Sequence, residues 1–269
     1  MRLKDKIAIV TGAGAGIGRA IATLFAREGA SVVAAEIVEE RGREVVEEIK
    51  KEGGEALFVP VDIADTRQLA ALFDRTVETY GRLDVLINNA YGPVDLIKRD
   101  GMLLDVDEEA WDETMRTTLK SVYYASRRGV EEMLKSGGGS IVNMSSVNGL
   151  FAYGVVAYST AKGAIVALTR SASLQYADRG IRMNVIAPGT VETASTSLAL
   201  VDAEIRRKAD AMYARGSIGR PEEIAATALF LASDESSFVN GAVIVADGGL
   251  TVGPVNFALV DKLSNKNKK

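Results

Sequence analysis

The chain has 269 residues, of which 47% are hydrophobic and 25% charged, and its formal net charge is -4. This length accommodates one large α/β domain with a well-buried core, and the charge gives no basis for a nucleic-acid or anionic-membrane partner. Cysteine and histidine are both absent, which excludes disulfides, thiol chemistry, a Ser-His-Asp triad and the common zinc sites. Acid–base chemistry near neutral pH therefore falls to a carboxylate, a lysine, a tyrosine or a cofactor.

From the sequence we expect neither a targeting leader nor a membrane-spanning segment. The N-terminus enters an apolar stretch, "KIAIVTG", almost at once, and no apolar run approaches the roughly 20 residues that span a bilayer. We expect a soluble, cytoplasmic protein. The basic end "KLSNKNKK" is interpreted as a frayed, solubilising tail (254–269) rather than a binding arm.

Short apolar runs alternate with longer helical patterns along the whole chain. Nearly continuous apolar strands indicate a sheet covered on both faces, hence parallel strands joined by crossover helices. No internal repeat or linker interrupts the pattern, so residues 1–253 are predicted to form a single doubly wound α/β domain. The predicted strands span 6–11, 31–36, 56–61, 84–89, 139–145, 181–188 and 242–247.

The intervening segments carry helix signals. "IGRAIATLFAREGA" has helical periodicity and stops at Gly29, and residues 38–54 form an amphipathic pattern closed by two glycines. Asp65 is predicted to cap a third helix that runs to about Tyr80. The glycines at 137–139 indicate a tight turn between a helix and a strand rather than a linker.

Two segments, 91–107 and 190–216, are less regular. The second follows a strand end and could cover a site as a mobile lid, although an ordinary surface helix is the alternative.

A glycine cluster follows the first strand and precedes the first helix. Gly12, Gly16 and Gly18 permit a tight turn and a close backbone approach to a pyrophosphate, and the helix N-terminus offers free N–H groups to the anion. Glu36, at the end of the second strand, can accept both hydroxyls of an adenosine ribose and repel a 2′-phosphate. Neither Ala15 nor the residue after Glu36 adds a positive charge, so NAD is favoured over NADP; the alternative is that Glu36 is only a solvated acid.

"AYGVVAYSTAK" (152–162) contains two tyrosines, and only Tyr158 has a lysine four residues on. That spacing places Tyr158 and Lys162 on one helix face, one turn apart. Tyr153 has no such partner, and lining a pocket or packing are equally compatible with its position.

These motifs, in this order, resemble the short-chain dehydrogenase/reductase family from Leu3 to about Gly253. The similarity rests on "TGAGAGIG" (11–18), "VDIAD" (61–65), "NNA" (88–90), "NMSSVNG" (143–149), "YSTAK" (158–162), "APGTVET" (187–193) and "DGG" (247–249). It implies a Rossmann-type domain with a seven-stranded parallel sheet in the order 3-2-1-4-5-6-7.

The resemblance also implies roles for individual residues. Tyr158 is the implied acid/base for a secondary alcohol, Lys162 favours its phenolate and binds the nicotinamide ribose, and Ser146 holds the reacting oxygen. Ser145 is the alternative serine. No metal is implied. The implied NAD contacts are Gly12, Ala15, Gly16, Ile17, Gly18, Glu36, Asp62, Ile63, Asn89, Ala90, Tyr158, Lys162, Pro188, Gly189, Val191 and Thr193.

Two positions depart from the family pattern. Thr118, in "WDETMRTTLKS", stands where the family usually has an asparagine that supports a water chain to the lysine. Tyr91 replaces the usual glycine after "NNA" and is expected to crowd the nicotinamide side of the pocket or to push the loop outward. The segment from Tyr91 to Trp111 also looks a few residues longer than is usual in the family, and both of these features lie where substrate would enter.

The leading functional hypothesis is an NAD(H)-dependent oxidoreductase that interconverts a secondary alcohol and a ketone. The alternatives are an NADPH-dependent 3-oxoacyl-type carbonyl reductase and a non-catalytic nucleotide-sensing protein of the same fold. The narrow Tyr-Lys spacing disfavours an enoyl reductase. A small neutral substrate is mildly favoured by the apolar lid sequence, and the resemblance implies a homotetramer or homodimer.

Overall fold

In a computed structural model, which describes residues 1–151, 154–194, 196 and 201–252, seven parallel strands form one sheet. Their order is β3-β2-β1-β4-β5-β6-β7, as the resemblance implied. Every predicted strand is present, with each boundary within one residue of its predicted position. The strands are β1 (Ile7–Thr11), β2 (Ser31–Glu36), β3 (Glu55–Pro60), β4 (Val85–Asn88), β5 (Gly139–Met144), β6 (Ile181–Pro188) and β7 (Val243–Ala246).

The apolar runs form strands because both faces of the sheet are buried. All five residues of β1 are buried. Successive side chains of a strand point to opposite faces, so Ala8 and Val10 enter one core cluster, with Phe25, whereas Ile9 enters the other, with Phe73. Because apolar clusters lie on both sides of the strand, its sequence does not alternate between apolar and polar residues.

Helices cover both faces and generally begin and end where the sequence indicates. The Asp65 carboxylate accepts the backbone N–H of Arg67 (2.8 Å), which confirms the predicted cap. Gly137 and Gly138 both have positive φ, which confirms the tight turn before β5. The helices are α1 (Gly16–Arg27), α2 (Glu39–Lys51), α3 (Thr66–Tyr80), α4 (Val94–Lys98), α5 (Glu108–Thr114), α6 (Ser121–Ser136), α7 (Val156–Tyr176), α8 (Ala203–Ala211) and α9 (Pro221–Ala232).

The long helix that precedes β5 is not uniform. A π-helical turn, Met115–Lys120, separates α5 from α6. This turn contains Thr118, and π-helical turns occur frequently at functional sites.

The sheet order reverses between β1 and β4. In open α/β sheets, ligands bind outside the carboxyl ends of the strands at such a switch point. The residues that follow β1, β4, β5 and β6 therefore meet at one edge, and the predicted site residues come largely from these connections.

Of the predicted lid, the structure describes residues 190–194, 196 and 201–216, including α8. Every residue of α8 is at least partly exposed, and Arg206 binds both Glu192 (2.9 Å) and Asp210 (3.1 Å). The contact with Glu192 attaches the helix to the chain that leaves β6, whereas the contact with Asp210 lies within the helix. The tail 254–269 and Tyr153 lie outside the described residues. Within the described part of the chain, none of the helices has the length and apolarity needed to cross a membrane.

Candidate active site

The turn between β1 and α1 forms a cradle for an anion. Gly12 (φ 64°) and Gly16 (φ 52°) have positive φ, and a Cβ added to Gly18 would lie 2.0 Å from the Gly12 carbonyl oxygen. Ala15, at the N-cap of α1, contributes no side-chain cap, and the first turn has no acidic residue. The helix N-terminus can therefore offer its first N–H groups and positive dipole end to an anion.

Glu36 lies beside this cradle at the end of β2. Its carboxylate accepts three backbone N–H groups, from Gly14 (3.0 Å), Ile37 (3.0 Å) and Val38 (3.1 Å), and the side chain is buried. Because each carboxylate oxygen has two lone pairs, Glu36 keeps acceptor capacity for ribose hydroxyls.

Arg41, a neighbour of Glu36, was missed by the sequence analysis. A Cβ added to Gly14 would lie 2.7 Å from the Arg41 Cβ and 2.9 Å from Glu36 Oε2, so the two side chains flank the same glycine. Arg41 is in the first turn of α2, which starts at the same sheet edge as the anion cradle. The position of that first turn was the signal that could have identified it. A cation here bears directly on whether a 2′-phosphate is repelled.

The residues after β4 are fixed to the glycine turn through Thr11. The Thr11 hydroxyl accepts the backbone N–H groups of Asn89 (3.0 Å) and Ala90 (3.1 Å), and the Asn89 amide donates to the Thr11 carbonyl (2.9 Å). Thr11, although it lies within the motif, was not among the predicted contacts. After β3, Asp62 Oδ1 accepts the N–H of Ala64 (2.9 Å), and the adjacent Ile63 is partly buried.

The chain that leaves β6 returns to the same turn. Pro188 ends β6, and Gly189 donates its N–H to the Ala246 carbonyl (3.1 Å). Val191 forms an isolated parallel bridge with Gly219. The Thr193 methyl lies 2.9 Å from where a Cβ on Gly16 would be, so this chain borders the anion cradle.

The two adjacent serines after β5 have different surroundings. The Ser145 hydroxyl is buried and donates to the Lys162 carbonyl (2.8 Å). The Ser146 hydroxyl accepts the Asn148 N–H (3.2 Å), and the side chain is partly exposed. Ser145 is thus occupied in holding α7 against β5, and Ser146 is the serine available to a ligand.

Tyr158, Lys162 and Tyr91 form one cluster. Lys162 Nζ lies 5.5 Å from the centroid of the Tyr158 ring and 5.6 Å from that of Tyr91, and the two rings meet edge to face with centroids 6.2 Å apart. Nζ donates to the Met144 carbonyl (2.8 Å). Tyr91 is 40% exposed, so its ring is a wall of the cluster that a ligand can reach.

Burial shifts the titration of this cluster. It raises the pKa of Tyr158, an effect strengthened by Tyr91 and opposed by the Ser146 hydroxyl. It lowers the pKa of Lys162 to about 7. The family resemblance implies that Lys162 favours the phenolate of Tyr158. In the protein alone, burial is the largest influence on the pKa of Tyr158 and favours the protonated phenol over the phenolate.

Thr118 is buried in the π-helical turn, which packs against α7, the helix that carries Tyr158 and Lys162. Among the residues that the structure describes, its hydroxyl has no side-chain hydrogen-bond partner. Its neighbour Thr117 contacts Gly92, since a Cβ on Gly92 would lie 2.4 Å from the Thr117 hydroxyl. The loop that begins at Tyr91 is therefore packed directly on the turn.

Residues 12–251 match the family profile described as enoyl-(acyl carrier protein) reductase. The chain belongs to the short-chain dehydrogenase/reductase family. The enzymes of this family are oxidoreductases that use nicotinamide cofactors.

Curated relatives of the family cover nearly all of the chain. The 3-oxoacyl-[acyl-carrier-protein] reductase FabG of Thermotoga maritima is 39% identical over 94% of this chain and 100% of its own length. The 2,5-dichloro-2,5-cyclohexadiene-1,4-diol dehydrogenase LinX of Sphingobium indicum is 36% identical (94% and 98%). The cis-4-hydroxycyclohexanecarboxylate dehydrogenase of Sinomonas cyclohexanicum is 38% identical (92% and 97%).

A solved structure extends the likeness to the fold. The crystal structure of a candidate gluconate dehydrogenase from Agrobacterium tumefaciens superposes with a TM-score of 0.87 at 30% identity, covering 94% of this chain and 98% of that one. Family and fold are confirmed. The NAD preference, the individual site roles, the lid, the domain limits, the cytoplasmic location and the homotetramer or homodimer stay predictions.

Proposed function

We propose that this protein is an NAD(H)-dependent oxidoreductase that interconverts a secondary alcohol and a ketone. The observation that carries the proposal is the cluster of Tyr158 and Lys162 beside the ligand-accessible Ser146, at the same sheet edge as the anion cradle. When bound, the nicotinamide accepts or supplies the hydride.

In this proposal Tyr158 exchanges the proton of the substrate oxygen, and Ser146 hydrogen-bonds that oxygen. Because burial raises the pKa of Tyr158, the protein alone presents a protonated phenol, which suits donation to a ketone oxygen. Oxidation of an alcohol requires the phenolate instead. A protonated Lys162 and the positive charge of an oxidised nicotinamide would both favour that form.

Lys162 can also move the proton onward. Its pKa of about 7 means that the neutral amine and the ammonium coexist near neutral pH. The neutral amine can accept a proton and the ammonium can donate one, so Lys162 has both capacities that a relay needs. Thr118 occupies the place where the family's relay usually has an asparagine, and its hydroxyl can both donate and accept.

The cofactor preference depends on two opposing side chains. Glu36, held by three backbone N–H groups, would accept the ribose hydroxyls and repel a 2′-phosphate. Arg41 flanks the same glycine and would attract that phosphate. Glu36 is buried and fixed whereas Arg41 is exposed and free to turn into solvent, so we place NAD first.

For the substrate we propose a hydroxyl on a carbocyclic ring. Two of the relatives are named for alcohols of six-membered carbocycles. The exposed Tyr91 ring beside Tyr158 is a flat apolar surface on which such a ring can pack.

The test is cofactor reduction or oxidation with NAD(H) and NADP(H) separately. The substrates are cis-4-hydroxycyclohexanecarboxylate, cyclohexanol, gluconate and an acetoacetyl thioester. Turnover of a cyclic alcohol with NAD is expected, and Tyr158→Phe should lower kcat about 10²–10⁴-fold. Tyr123→Phe, an exposed tyrosine of α6, is the matched control and should keep the wild-type rate.

A second candidate, an NADPH-dependent 3-oxoacyl-type reductase, is favoured by the Thermotoga relative and by Arg41. In that case the acetoacetyl thioester is reduced with NADPH, and Arg41→Ala lowers kcat/KM for NADPH. If wild-type protein binds NAD but turns over no alcohol or ketone, the non-catalytic alternative replaces both.

A further inference from the structure

The helix that carries Tyr158 begins without a cap from its own sequence. Val155 is the N-cap residue of α7 and offers no side-chain hydrogen bond. The first N–H groups of a helix have no partner within the helix, and leaving them unbound is unfavourable. In this chain they are bound by a residue more than fifty positions earlier.

That residue is Asp100, which lies between α4 and α5 in the segment 91–107. Oδ1 accepts the backbone N–H groups of Val156 (2.9 Å) and Ala157 (3.1 Å), and Oδ2 accepts the N–H of Tyr158 itself (2.8 Å). Oδ1 also accepts the N–H of Gly101 (2.9 Å). One carboxylate thus fixes the whole first turn of α7, and its negative charge complements the positive end of the helix dipole.

Asp100 is itself held in place by its surroundings. The preceding residue, Arg99, forms ion pairs with Asp107 (2.8 Å) and Glu109 (3.0 Å) at the start of α5. The Asp107 carboxylate also accepts the N–H of Ala110 and so caps α5. The segment that carries Asp100 is therefore fixed at its C-terminal end, where it joins α5.

The same segment reaches Tyr158 a second time. It begins at Tyr91, whose ring meets the Tyr158 ring at 6.2 Å. Tyr158 is thus contacted at its backbone by Asp100 and at its ring by Tyr91. The segment 91–107, which departs from the family pattern, holds the tyrosine from both ends.

We propose that Asp100 is a positioning residue for Tyr158. By binding the Tyr158 N–H, it fixes the position of the phenol relative to Ser146 and Lys162. The inference rests on the proposed function of Tyr158 as acid/base. A small displacement of a reacting group lowers the rate strongly while leaving cofactor binding intact. Because the anion cradle lies on other elements, Asp100 acts on the chemical step and not on NAD affinity.

The test compares Asp100→Ala, Asp100→Asn and the control Asp105→Ala. Asp105 lies in the same segment and is exposed, and its removal changes the charge equally. Asp100→Ala should lower kcat about tenfold or more, with KM for NAD within about twofold of wild type. Asp100→Asn keeps one acceptor oxygen and should recover part of the rate. Asp105→Ala should match the wild type.

A merely structural cap would behave differently. It would lower the melting temperature of Asp100→Ala, as cap losses of about 0.5–2 kcal/mol do, but the folded variant would retain the wild-type kcat. That result, or an equal loss of rate in Asp105→Ala, would overturn the proposal.

A readout without turnover separates this inference from the proposed function. Hydrogen exchange of the amides at 156–158 should accelerate at least about tenfold in Asp100→Ala and not in Asp105→Ala. The Tyr158 phenol, isolated as the difference in ultraviolet titration against Tyr158→Phe, should ionise at lower pH in Asp100→Ala because a displaced phenol loses part of the burial that raises its pKa. Ser146, Tyr91 and Lys162 also face this phenol, and all three are the same in the wild type and in Asp100→Ala.

If no substrate turns over but both the amide exchange and the phenol ionisation change as expected, the proposed function fails and the positioning contact stands. If neither occurs, the positioning proposal is wrong.

Discussion

The proposed cofactor side and the proposed substrate side of this site are built in different ways. On the proposed cofactor side, backbone N–H groups and a carboxylate line the site, and the contact from Glu36 to Gly14 joins residues 22 positions apart. On the substrate side, side chains of the segment 91–107 approach Tyr158, and the contact from Asp100 joins residues 58 positions apart. The first arrangement is encoded within one strand-turn-helix-strand unit, whereas the second depends on the complete fold. A substrate side assembled in this way can change its specificity while the cofactor side and the sheet remain the same.

The two sides meet at Lys162. The largest predicted effect is a change in protein stability when this residue is replaced. Its folded-state pKa of about 7 lies below the ordinary lysine value near 10.4. Between these values the unfolded chain binds a proton that the folded protein does not. Stability should therefore rise with pH from about 7 to 10, and the penalty for burying the charge should be largest at and below pH 7.

Lys162→Met should accordingly stabilise the cofactor-free protein by a few kcal/mol near pH 7, and this gain should shrink towards pH 10. Denaturant unfolding across this range measures the difference. Lys51→Met, at an exposed lysine, is the control. A gain in Lys162→Met that does not change with pH would contradict the lowered pKa and point to packing instead.

The second prediction tests the cofactor side alone. In Gly18→Ala the new Cβ would lie 2.0 Å from the Gly12 carbonyl oxygen, so the turn must open. We expect NAD binding to weaken about 100-fold, or roughly 3 kcal/mol, measured by calorimetric titration. Gly53→Ala is a useful control, since its Cβ would meet no atom within 4 Å, although its positive φ will lower stability somewhat. Unchanged NAD affinity in Gly18→Ala would show that the turn is not the pyrophosphate site.

The contrast between the two sides also explains what the sequence could predict. The strands were predictable because their apolar runs are continuous, and the α3 cap because Asp65 binds a residue two positions away. The glycine turn was predictable for the same local reason. The Asp100 contact was not, because nothing near residue 100 indicates which helix N-terminus the fold will bring to it. The π-helical turn at 115–120 was missed since its residues also suit an α-helix.

The Tyr158–Lys162 pair lies between these cases. Its spacing could be recognised in the sequence, but the directions of the pKa shifts of Tyr158 and Lys162 could not. Those shifts depend on burial and on contact with the Tyr91 ring, which form only when distant segments meet. The proximity of Arg41 to Glu36 is similar, since it depends on how α2 starts after β2. Local motifs thus identified the participants, and tertiary packing determined their electrostatic state.

The smallest predicted effect concerns the substrate side. Tyr91→Gly restores the residue usual in the family and removes the ring that contacts both Tyr158 and Lys162. KM for a cyclic alcohol should rise about fivefold, because one aromatic contact of about 1 kcal/mol is lost. KM for a small open-chain alcohol should change less, since such an alcohol has no ring face to pack against Tyr91.

Tyr91 also raises the pKa of Tyr158. In the Tyr91→Gly variant, the alkaline limb of the pH–rate profile should therefore begin at a lower pH than in the wild type. Tyr91→Phe is the matched comparison, since it keeps the ring but removes the second phenol, and should retain the cyclic preference. Equal changes in KM for both alcohols would show that Tyr91 supports the loop, and that the substrate side selects its ligand elsewhere.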